Sequence, residues 1–313
     1  MRRDLPVEGS RFKATDVADQ GDACPWDPTN WGVKNDAAGQ AWYDSLIRQY
    51  AGWGVDLIKV DCISSHPYKI DEIRMIHRAI VKTGRPMVLS LSPGPTALEN
   101  AAEVGAESQM WRISDDFWDY WTNPKPWPRT VLSQFETTAQ WEKYAKPGNW
   151  PDADMLPLGH LGPNPGEGKP RTTRLTHDEQ RTVMTLWSMA RSPLILGANL
   201  TELDAWTTAL ITNAGVIAVD QHSVENHMVG KDGNVVAWTA KASGASARGA
   251  RYLALFNQGD AAVQVDSAFA KYGLGEKAKY SVRDLWEKKD LGVKTGVSLS
   301  IPAHGAVLLE LRP

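Results

Sequence analysis

The 313-residue chain is short of several things, and each shortage narrows what it can be. It holds two cysteines, Cys24 and Cys62. One pair can close a disulfide or remain two thiols, but it cannot build a disulfide framework. Net charge is only −3, with lysine and arginine spread along the chain. That argues against nucleic acid or an anionic membrane surface as partner. The longest apolar runs, such as Ser192 to Leu196, are far short of a membrane span. The seven histidines form no metal-ligand pattern. His222 and His227, five apart, make no metal-ligand set and read as surface or interdomain residues. Gly162 to Gly168 is broken by proline and opens no phosphate-type helix, so no phosphate loop is expected. From the residues alone, neither a metal site nor a phosphate-binding cofactor loop is expected. There is no internal repeat and no charged-then-apolar leader.

What is present reads as ordinary globular protein, 42% hydrophobic and 23% charged. Fourteen tryptophans against five phenylalanines is a bias. Indole faces stack on sugar rings, which favours carbohydrate over phosphorylated ligands, although core packing accounts for many tryptophans. Residues 1–35 are punctuated by proline and glycine and read as loop. Helices are expected over Ala41 to Ala51, Asp71 to Thr83 (stopped by Gly84), Leu98 to Val104, around Trp141 to Tyr144, and from a Thr176–Glu179 capping box to about Ala190. Strands are expected at Val55 to Val60, Pro86 to Leu91, Gln109 to Ile113, Asp154 to Leu158 and Pro193 to Leu196. This alternation implies βα units and a parallel sheet. After about Gln221 short alternating strands follow: 235–239, 252–256, 262–265, 280–284, 297–301 and 306–311. They predict an antiparallel β-sandwich. The expected domains are therefore 1–220 and 221–313. Only about five parallel strands can be counted, whereas a closed (β/α)8 barrel needs eight.

Two of these strands end in acid. LIKVD runs Leu57 to Asp61, and QMWRISDD runs Gln109 to Asp116. In a parallel β/α barrel the strand C-termini gather on one face, where two carboxylates can cleave a glycosidic bond. Lys59 and Asp61 share one side of their strand. A lysine there favours an ionised, nucleophilic carboxylate; the alternative is a buried ion pair. Arg112, four residues before Asp116, offers a planar fork for hydroxyls. Asp116 would be the general acid, walled by Trp111, Phe117, Trp118 and Trp121, with Asp115 and Asp119 as competing carboxylates. Alternatively, Ser114 to Asp119 is a helix start. Asp152 and Asp154 either meet substrate hydroxyls, orient other groups, or form a turn.

LIKVD, MVLSLSPGP, MWRISDDFWD, NWPDADML and LTHDEQRTVMTLWSMARSPLILGANL, in that order, resemble glycoside hydrolase family 27, the α-galactosidase family. Tyr252 to Asn257 and His304 to Leu311 fit its C-terminal β domain. The resemblance implies a TIM barrel followed by an antiparallel β-sandwich, and retaining hydrolysis of α-galactosides in oligosaccharides or glycoconjugates. It implies Asp61 as nucleophile and Asp116 as acid/base, their carboxyls roughly 5 Å apart. Lys59, Arg112, Trp111, Ser92 and Asp154 are the implied sugar-binding positions.

Two departures stand out. The family's opening strands have no counterpart, and Met1 to Arg3 read as the end of a third strand or as an internal start, so part of the sugar pocket is expected to be missing. The loop Ser92-Pro93-Gly94-Pro95 replaces a Cys-Glu that reads the sugar 2-position. α-N-Acetylgalactosaminides, β-L-arabinopyranosides and isomaltose units are the alternative substrates. A truncated, non-catalytic binding or assembly subunit is the alternative function, as a homo-oligomer or with a complementing N-terminal segment. The compartment stays open, with a periplasmic or secreted parent protein expected.

Overall fold

The structure is a computed structural model and describes residues 4–244, 249–275 and 278–313. Met1 to Arg3, read as the end of a strand, lie outside the described residues. The chain divides into two compact units, Met1–Ile113 and Ser114–Pro313.

The first unit opens with a one-turn helix α1 (Ala14–Val17) and an antiparallel hairpin, β1 (Ala18–Cys24) and β2 (Asp27–Val33). The sequence predicts loop there. The hairpin is largely exposed and has little core of its own. It is tied down instead by a Cys24–Cys62 disulfide, with Cα atoms 5.9 Å apart, and by a Lys69–Asp22 ion pair at 2.8 Å. Helix α2 (Ala37–Gly52) is capped by Asp36, whose carboxylate accepts from the amides of Ala38 and Gly39. Gly39 lies so close to the Lys34 carbonyl that any side chain would collide with it.

Three parallel strands follow: β3 (Leu57–Val60), β4 (Val88–Leu91) and β5 (Met110–Arg112). Between them run α3 (Ile70–Thr83) and α4 (Ala101–Glu107). In α3 the stripe Ile73, Ile76 and Ile80 is buried, and Gly84 in the left-handed region ends the helix, its amide bonding Val81. These are the βα units expected.

The second unit holds α5 (Val131–Trp141), β6 (Trp150–Asp152), the short pair β7 (His160–Leu161) and β8 (Arg171–Thr172), α6 (His177–Ala190), α7 (Ala205–Ile211) and α8 (Ala214–Gln221). The Thr176–Glu179 capping box is present, and α6 is buried almost all round. The strands predicted at 154–158 and 193–196 do not form. Asp154 takes φ +85°, which breaks an extended run, and the two segments meet only in one parallel bridge between Leu156 and Leu196.

An antiparallel sheet of six strands then forms in the order β14–β13–β16–β11–β10–β9. Its members are β9 (Ser223–Asp232), β10 (Val235–Ala242), β11 (Arg251–Asn257), β13 (Tyr280–Asp284), β14 (Lys289–Lys294) and β16 (Ala306–Arg312). A ribbon of β12 (Val263–Ala268) and β15 (Gly296–Ile301) completes the sandwich. Leu253, Leu255, Phe269, Ile301, Leu309 and Leu311 are fully buried in its core.

The packing division at 113/114 falls inside the segment expected as one domain, 1–220. Within the second unit α6 is bonded into the sandwich. Thr182 Oγ1 donates to the His304 carbonyl, Trp286 Nε1 donates to Thr185 Oγ1, and His304 Nδ1 lies 2.7 Å from Glu179.

Candidate active site

In the first unit, the loops after the three parallel strands are laced together by backbone. The Ser92 amide donates to the Val60 carbonyl, and Ile63 and Ser64 donate to the Ser92 carbonyl. The Thr96 amide donates to the Arg112 carbonyl. Asp61 therefore leaves β3 from a fixed frame. The register puts Lys59 beside Ser90 and Leu91 beside Trp111.

Lys59 and Asp61 both line a cavity of about 550 Å³. Both side chains are exposed, and among the described residues neither has an ion-pair or side-chain hydrogen-bond partner, so the buried-ion-pair alternative does not hold. The other walls come from the hairpin and α2, notably Trp31, Trp42, Tyr43 and Tyr50. The Tyr43 hydroxyl donates to Glu72 at 2.5 Å. Burial, reinforced by the Glu72 carboxylate, pushes the phenol of Tyr43 far up. Lys69 sits between Asp22 and Glu72. Sequence reasoning missed this aromatic wall. The tryptophan-rich composition was its only signal, and it did not single out Trp31. Ser92, Trp111 and Arg112 do not line the cavity and are only 5%, 1% and 2% exposed.

In the second unit, Asp116 lies on an irregular segment, not at a helix start, so the N-cap alternative falls. The Asp116 amide donates to Asp115 Oδ1, and the Asp116 carbonyl accepts from the Arg129 amide. Phe117 packs against Trp187 with ring centroids 4.8 Å apart, which makes it core, and Trp121 stacks on His304 at 4.0 Å.

Asp119 is no competitor for the acid role. Its fully buried carboxylate accepts from the Arg171 and Arg174 guanidiniums and from the Arg174 amide. Glu167 bonds the same two arginines and the Tyr120 hydroxyl. This network pins the segment after Asp116 to the β7–β8 connection, and hydrogen bonding to Asp119 pushes the Arg171 guanidinium up.

Asp154, expected to meet the sugar, is only 7% exposed, and its Oδ2 accepts the Phe117 amide at 2.8 Å. Asp152 Oδ1 accepts the Asp154 amide.

Residues 35–222 match the family model described as alpha galactosidase A, and residues 232–311 match the alpha galactosidase C-terminal beta sandwich domain. A β-L-arabinopyranosidase of glycoside hydrolase family 27 from Geobacillus stearothermophilus superposes with a TM-score of 0.90. The two share 40% identity over 99% of this chain and 70% of that one. Alpha-galactosidase I from Mortierella vinacea superposes with a TM-score of 0.74 at 27% identity, over 90% of this chain and 73% of that one. Alpha-galactosidase 2 of Arabidopsis thaliana is 26% identical over 84% of this chain and 62% of its own length. The chain thus spans about three-fifths of the curated relatives it matches. With family matches over both the βα segment and the sandwich, the chain belongs to glycoside hydrolase family 27, the α-galactosidase family.

Proposed function

We propose that this chain carries the catalytic carboxylates of a retaining glycosidase acting on terminal α-D-galactosyl residues or on a pyranoside of the same ring configuration. The observation that carries the reading is the unbroken family match over 35–222, which includes both acid-bearing segments. The exposed Lys59–Asp61 row on a cavity rich in tryptophan and tyrosine supports it. The matched stretches 35–222 and 232–311 also support a domain boundary near residue 220.

In this reading the Asp61 carboxylate attacks the anomeric carbon and forms a glycosyl ester, while Asp116 gives its proton to the departing oxygen. Asp116, now a carboxylate, then takes a proton from water as that water attacks the same carbon. The ester bond breaks, Asp61 leaves as carboxylate, and anomeric configuration is retained. Lys59, on the same side of β3 as Asp61, holds ring hydroxyls, while the buried Ser92, Trp111 and Arg112 support the strand ends from behind.

The test is hydrolysis of p-nitrophenyl α-D-galactopyranoside and β-L-arabinopyranoside, followed by trapping with a 2-deoxy-2-fluoro glycosyl fluoride and peptide mass mapping. The ester should map to Asp61. Asp116→Asn should lower kcat by roughly 10²–10⁴ on substrates whose leaving group needs a proton. Label on another carboxylate, or inversion of the product, would overturn the assignment.

A further inference from the structure

Asp154 has three features that a simple turn residue does not need. It is a buried carboxylate. It sits at φ +85°, a backbone region that a non-glycine residue keeps only where its surroundings enforce it. The surroundings do so from both sides, since the Asp154 amide donates to Asp152 Oδ1 and its carbonyl accepts the Trp187 indole N–H at 2.8 Å. Its neighbour is fixed as well: the Ala153 amide donates to Ser192 Oγ. The product of this bracing is the direction of one carboxylate oxygen, which accepts the amide of Phe117 at 2.8 Å.

The Phe117 N–H and the Asp116 carbonyl belong to the same peptide plane. Asp154 holds one edge of that plane, and the Arg129 amide holds the other at 2.8 Å. With the plane fixed, so is the backbone dihedral of Asp116 that aims its Cβ. The Asp116 amide is tied in turn to Asp115 Oδ1 at 2.9 Å. A proton donor must be held within about 0.5 Å of its working position.

We propose that Asp154 is a positioning residue for Asp116: through the Phe117 amide it orients the peptide from which the proton-donating carboxyl projects. This rests on the reading of Asp116 as acid/base. Of the alternatives that the sequence leaves open for Asp154, it takes the orienting one and names the group oriented.

The test uses Asp154→Gly and Asp154→Asn in the full chain. Glycine accepts the positive φ and deletes the carboxylate, while asparagine keeps an oxygen that can accept from Phe117. The first arm needs no turnover. In protein labelled with 13C at the aspartate carboxyls, the Asp116 resonance (assigned by its loss in Asp116→Asn) is titrated, and hydrogen exchange of the Phe117 amide is measured. Asp154→Gly should move the Asp116 resonance and speed Phe117 exchange, and Asp154→Asn should leave both near wild type. An unmoved Asp116 resonance with a released Phe117 amide overturns the proposal.

The second arm compares leaving groups. In Asp154→Gly, kcat should fall about 100-fold for alkyl glycosides, whose oxygen needs a proton. It should fall far less for dinitrophenyl glycosides, whose oxygen does not. Equal losses on both would show a general structural defect and overturn the proposal. If the wild-type chain hydrolyses neither substrate, it is the proposed activity that has failed, and the first arm still decides the role of Asp154.

Discussion

Asp220, at the end of α8, carries a carboxyl that burial pushes up to about 7, with the Arg191 charge opposing the shift. Because the folded state holds this proton above the usual 3.8, it binds more protons than the unfolded chain between those two values. Its contribution to stability is complete below about pH 4, declines as pH rises towards 7, and is flat beyond. Asp220→Asn should therefore gain on wild type steadily across that window. Melting temperatures of the two proteins from pH 4 to 8 test this, and parallel curves would sink it. At this same scale, the acids that end strands were readable in the sequence, because an apolar run stopping on aspartate has few causes. What Asp154 does was not, because a carboxylate's task depends on which amide it meets across 37 residues of chain. Asp119 was misread for the same reason: its arginine partners lie 52 and 55 residues away.

Among elements, those with a buried face announced themselves. The isoleucine stripe of α3 and the capping box of α6 left patterns in composition and spacing. The β1–β2 hairpin left none, since its exposed residues alternate with proline and glycine and its anchor is covalent. Strands β9 and β14 were missed because most of their residues face solvent and need no alternation. The apolar stretch at 193–196 misled in the opposite direction, for Ile195 is 47% exposed. The hairpin's dependence on Cys24–Cys62 can be tested directly. Cys24→Ser should destabilise the protein by about 2–4 kcal/mol in denaturant unfolding. It should also raise amide exchange first in residues 18–33, and exchange rising uniformly through the chain instead would count against an anchoring role.

For the molecule as a whole, the change from strand–helix alternation to short alternating strands near residue 221 was legible, and the family matches break close to it. The packing division at 113/114 was not, because composition reports how strands pair and is blind to which helix is bonded into which sheet. Trp286, His304 and their partners on α6 carry that bonding. The six-stranded sheet has one further consequence. Its two outer strands, β9 and β14, each have a sheet neighbour on one side only, and on β9 the Met228 amide is capped by the Glu142 carboxylate. Glu225, Lys231 and Asp232 stud one border, and Lys289, Asp290 and Lys294 the other. A further strand added at either border would have to strip water from these charges, which disfavours edge-to-edge pairing. Replacing Lys289 and Lys294 with valine should produce concentration-dependent turbidity and larger species in light scattering at unchanged melting temperature. The charged edges would then be safeguards of solubility that contribute little to the fold itself.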